Sequence, residues 1–109
     1  MASRLPILLA VLFGLVGCSE FAARGDLQTA FELYMECDFE GAAAAAQDAI
    51  EGAPFNPEIA GAAYLLLGAS HDRLGISSEA STAYRNLDET PETARLKASL
   101  NETGVKCAS

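Results

Sequence analysis

The chain has 109 residues, with 7 Lys and Arg against 15 Asp and Glu and a formal net charge of −8. That length allows one small domain, and the acidity excludes roles that depend on holding nucleic-acid phosphates. One His and three Cys argue against a dedicated zinc cluster.

The first element is an apolar segment. Arg4 supplies a positive charge, and Leu5 to Val16 follows without any charge. Such a run suits the core of an export signal and falls well short of the roughly 20 residues that span a bilayer. It ends in Leu15-Val16-Gly17-Cys18. Small residues before a cleavage site let the chain enter a peptidase extended, and a Cys directly after them offers a thiol for lipid. This resembles a bacterial lipoprotein signal with its lipobox. The resemblance implies cleavage between Gly17 and Cys18, acylation of Cys18, and a protein anchored through its N-terminus in the cell envelope. Ser19, not Asp, follows the Cys, which in the enterobacterial pattern resembles a lipoprotein on the periplasmic face of the outer membrane. The expected organisation is a signal peptide over 1–17, the lipidated Cys and a short tether over 18–23, a helical domain over 24–104, and a tail over 105–109.

Beyond Cys18 the only Val is Val105, and Ile occurs at 50, 59 and 76 alone. Without runs of alternating β-branched residues, strands are not expected. Ala, Leu, Glu and Gln favour helix, and the pattern predicts an all-α fold of five helices. The first runs from about Arg24 to Glu36, with Leu27, Ala30, Phe31 and Tyr34 at helical spacing. Cys37-Asp38 forms a turn, and the second helix runs from about Phe39 to Glu51. Gly52-Ala53-Pro54 ends it. Asn56 caps a third helix that carries Pro57 first and Glu58 in its opening turn, and Gly75 stops it after Leu74. This helix is apolar nearly all round from Ile59 to Ala69, which places it in the middle of a core. Ser77 or Ser78 caps a fourth helix to about Leu87. Thr90-Pro91-Glu92 starts a fifth that ends near Asn101, with Gly104 just beyond it.

Two halves of this body look alike, with Ala42 and Ala80 38 residues apart. The cleaner unit reads Tyr64-x2-Leu67-Gly68-x2-His71, then Gly75, then Ala80-x3-Tyr84. It resembles the tetratricopeptide repeat, whose pattern is W-x2-L-G-x2-Y…A-x3-F…P over about 34 residues. Leu67, Gly68 and Ala80 match outright, Tyr64 and Tyr84 replace other aromatics, and His71 departs from Tyr. Pro91 arrives one residue early. The first repeat is weaker: Ala42, Ala49 and Pro54 keep the spacing, but Ala46 replaces a bulky residue. The resemblance implies antiparallel helix pairs stacked as about two tetratricopeptide-like repeats, with the fifth helix as a C-terminal cap. Gly68 and Ala80 would let paired helices approach, with Tyr64, Leu67 and Tyr84 filling the volume between them.

With Cys18 committed to lipid, Cys37 and Cys107 remain. An oxidising compartment lets two thiols pair, and free or intermolecular thiols are the alternative. Stacking would put the first and fifth helices roughly 20 Å apart, a gap that an extended tail beyond Asn101 spans. No nucleophile motif, phosphate loop or metal-ligand spacing is present. Neighbours on a helix do not face each other, so His71-Asp72 is not read as an acid–base pair. Asp38, Glu40, Asp48 and Glu51 read as a solvated face. Neither an enzyme nor a cofactor is expected. The resemblance implies a membrane-tethered protein-interaction module whose inner surface takes a peptide, and the acidic surface favours a partner with a basic segment. A small structural envelope lipoprotein and a binder of small molecules or metals are the alternatives. Two repeats and a cap are fewer than usually stand alone, so a disulfide, a homo-oligomer or a partner should contribute stability.

Overall fold

The computed structural model describes residues 5–87 and 90–108; for 5–19, Val105 and Ala108 it describes the helical backbone alone. Gly17 and Cys18, the expected cleavage and lipidation positions, therefore lie outside the described side chains. The fold is all-α. Five helices follow in order: α1 (Leu5–Met35), α2 (Phe39–Gly52), α3 (Pro57–Leu74), α4 (Ser77–Arg85) and α5 (Pro91–Ala108). Among the described residues no helix is long and apolar enough to cross a membrane.

α1 is much longer than a helix beginning at Arg24. The apolar segment and the expected tether continue into it without a break, because Ser19 to Ala23 contain neither Pro nor a capping turn. Its end is sharp. Cys37 takes a left-handed backbone (φ 67°), so that Cys37 N donates to Tyr34 O and Asp38 N to Leu33 O. Asp38 then caps α2, its carboxylate accepting from Gly41 N at 3.0 Å. Asn56 caps α3 as its sequence signals indicate, accepting from Glu58 N and Ile59 N. Gly75 (φ 79°) closes α3 with the same bond pattern that closes α1.

Two further boundaries move. The N-cap of α4 is Ile76, with no side-chain cap bond; Ser77 and Ser78 sit inside the helix, because the closing turn at Gly75 leads directly into it. α5 runs on past Asn101 to Ala108. It starts with a reciprocal pair, Thr90 N donating to Thr93 Oγ1 and Thr93 N to Thr90 Oγ1. It passes through Gly104 because that residue is buried against α3: a Cβ there would meet Arg73 Nε at 2.5 Å.

The helices pair antiparallel. Ala30 and Tyr34 near the end of α1 pack with Ala42, Ala45 and Ala46 near the start of α2. Ala23 packs instead with Ala49 and Ala53 at the far end of α2. α3 returns in turn, with Ile59 and Ala63 on the second cluster and Leu65, Leu66 and Ala69 on the first. It packs against each of the other four helices, as its all-round apolar surface requires. Small Ala side chains dominate both clusters, so helices lie close but each buried residue removes little area from water. The bulk comes from Tyr34, Leu65, Leu66 and Leu100, all essentially fully buried.

Candidate functional site

α1 and α3 run parallel, with α2 filling one side of the seam between them. On the other side lies α5. Leu96 stands near Ala62 and Leu66 of α3, Leu100 is buried in the cluster that contains Tyr34, and Gly104 rests on Arg73. The fifth helix thus runs parallel to α1 and α3 and covers the lower part of the face they share. Tyr34 Oη donates to Leu100 O at 3.0 Å. An α-helical carbonyl has two lone pairs, so this bond pins α5 without breaking its ladder.

The polar contacts around this helix converge on two phenols. Tyr84 of α4 donates to Asp72 Oδ2 at 3.0 Å, and its ring presses on Gly68, where a Cβ would lie 2.5 Å from Cε1. Lys97 Nζ of α5 sits 4.9 Å from the centre of the same ring, a cation–π contact. Burial raises the pKa of Tyr34, with the Arg73 guanidinium opposing the shift. Burial, reinforced by the bond to Asp72, raises that of Tyr84. Both phenols therefore stay protonated at neutral pH and act as hydrogen-bond donors.

Cys37 and Cys107 are bridged, with their Cα atoms 5.9 Å apart. No extended tail is needed. Because α5 lies in the seam instead of stacking beyond α4, the wide separation expected for the first and fifth helices does not arise, and Cys107 reaches Cys37 from within a helix.

Beside the upper part of α5 the seam stays open. One groove of about 450 Å³ is lined by Leu27 and Phe31 of α1, Ile59, Ala62 and Leu66 of α3, and Leu96 of α5, with Arg24, Gln28 and Glu58 at its margin. On the other side of α5 a hollow of about 770 Å³ lies between Pro54, Phe55, Tyr64, Asn86 and Thr90. Phe31 is 37% exposed and is the main uncovered aromatic of the first groove.

Of the residues expected to pack between repeats, several lie at helix contacts, whereas Pro54 and Gly75 are exposed in turns. Gly68 and Tyr84 touch, Ala42, Ala49 and Ala80 are buried, and Tyr64 and Leu67 pack half-buried on the clusters. His71 meets Glu79, not its neighbour Asp72, with Nε2 3.4 Å from the carboxylate, and its Nδ1 has no partner. Among the described residues no three His, Cys, Asp or Glu side chains gather as a metal site would need. Leu96 and Leu100 were not singled out from sequence. Their i, i+4 spacing is the signal that α5 carries an apolar edge. Comparison with protein-family models, curated proteins and solved structures finds no match for this chain.

Proposed function

We propose that the protein is a lipid-anchored, tetratricopeptide-like interaction module of the bacterial cell envelope, held through Cys18, that receives an apolar segment of a partner in the groove beside α5. The observation that carries this reading is the groove itself. The chain's own α5 lies in the same seam, so the seam accepts a helix through Leu side chains spaced one turn apart, and its upper part is left uncovered with Leu27, Phe31, Ile59 and Leu66 in place. A partner helix presenting apolar residues at i and i+4 would extend the contact that α5 begins. Arg24 and Glu58 at the margin supply one charge of each sign to fix its register, while the acidic remainder of the surface favours basic flanks.

A photocrosslinking side chain at position 31, in the full chain in its native envelope, should give one dominant adduct, and the same group at position 76 should not. Ile76 is similarly exposed but lies at the α3–α4 turn, away from the groove. Identical adduct patterns from both positions would count against the groove as the binding surface. The anchor is tested separately: Cys18→Ala should accumulate as a precursor that takes up no labelled fatty acid.

A further inference from the structure

The two most exposed large apolar side chains among the described residues are Phe55, 97% exposed, and Phe21, 80% exposed. They lie far apart in sequence, yet each flanks a residue of one buried cluster. Phe21 is two residues from Ala23 and Phe55 two from Ala53, and both alanines are buried in one cluster with Ile59. Both rings therefore mark the same end of the array. It is also the end from which α1 continues, unbroken, back to Leu5. Cys18 stands three residues before Phe21, about 4.5 Å along a helix. Phe55 is set between Pro54 and Pro57, whose fixed φ angles limit the freedom of the loop. A stiff loop loses little entropy when its aromatic enters a new phase.

We propose that Phe21 and Phe55 are a bilayer-facing pair that seats this end of the array in the interfacial layer of a zwitterionic membrane. The inference rests on the anchorage proposed above and adds a contact that the lipid alone does not provide. Apolar rings held at the level of the headgroups leave water without ordering the rest of the domain. Glu20 and Arg24 flank Phe21 along α1, and Glu51 and Glu58 flank Phe55 across the α2–α3 turn, so acids outnumber bases along these two segments and a zwitterionic surface is a better fit than an anionic one. A lipid tether by itself lets the domain tumble. Two rings beside the tether would fix its tilt, with the turns at Cys37 and Gly75 and the far end of α5 pointing away from the membrane.

The chain contains no Trp, so a single introduced indole reports one place. The full-length lipid-modified protein carrying Phe55→Trp, and separately Ile76→Trp at the opposite end, is placed on phosphatidylcholine vesicles with and without brominated acyl chains. The expected result is a blue shift and a loss of emission to brominated lipid for Phe55→Trp, with Ile76→Trp unshifted and unquenched. Flotation of the same samples separates the two ideas. If the protein floats with the vesicles while Phe55→Trp stays unquenched, the aromatic pair is refuted and the anchor survives. If it does not float, the anchorage fails and the pair with it.

Discussion

Cys37 and Gly75 occupy the same backbone post at the ends of α1 and α3, with φ 67° and 79°. At each, two successive N–H groups turn back to the last carbonyls of the helix: Cys37 and Asp38 to Tyr34 and Leu33, Gly75 and Ile76 to Asp72 and His71. Glycine holds this conformation without a steric cost, whereas a residue with a Cβ does not. Open space surrounds the Cβ position at Gly75, so substitution there exposes the backbone term alone. Gly75→Ala should lower the unfolding free energy by about 1 kcal/mol, read as a shift in the urea midpoint at unchanged slope. An unmoved midpoint would show that the left-handed cap contributes nothing. In the first helix pair a Cys already bears this cost, and the bridge to Cys107 is what its thiol does there. Gly75 was legible as a helix stop from sequence. The left-handed turn at Cys37 was not, because nothing about a Cys announces a positive φ, even though the turn itself was placed correctly.

Among the helices, those with chemical punctuation at both ends were readable. Asp38 and Gly52-Ala53-Pro54 bracket α2; Asn56-Pro57 and Gly75 bracket α3. α5 misled at its far end because Gly104 reads as a terminator in isolation, while in the fold its missing side chain admits Arg73. Its position was hidden for a different reason. Parallel stacking of odd-numbered helices is satisfied equally by a place beyond α4 and by a place in the α1–α3 seam, and local sequence does not choose between them. Leu100 and the Tyr34 bond decide it. Leu100→Ala removes a fully buried side chain whose neighbours are fixed on other helices, so a loss of about 2–5 kcal/mol is expected. Hydrogen exchange should localise the effect, with amides of α5 exposed far more than those of α2. Uniform acceleration across the chain would show that α5 is not a separable layer.

For the whole molecule, the shortage is of apolar volume. Its two clusters are built mainly from Ala, and a thin core leaves a small surplus over conformational entropy. The Cys37–Cys107 bridge joins residues 70 apart in sequence and in the chain-entropy picture contributes about 4 kcal/mol by restricting the unfolded chain. Cys37 is exposed and Cys107 half-buried, so a soluble dithiol can reach the bond. Reduction should lower the thermal midpoint sharply, and Cys107→Ser should reproduce the loss without reductant. If neither changes the midpoint, the packing of α5 alone is sufficient.

That bridge also alters the connectivity of the chain. Everything from Cys37 to Cys107 is one covalent ring, and α1 hangs outside it as a single arm. A protease that cuts the α4–α5 connection, or any other site within the ring, opens it but releases no fragment: both halves stay joined to the same N-terminal arm. Only a second cut, or reduction, sets a piece free. Release of a fragment from within the ring is therefore a two-event process, and a copy nicked there remains one covalent molecule.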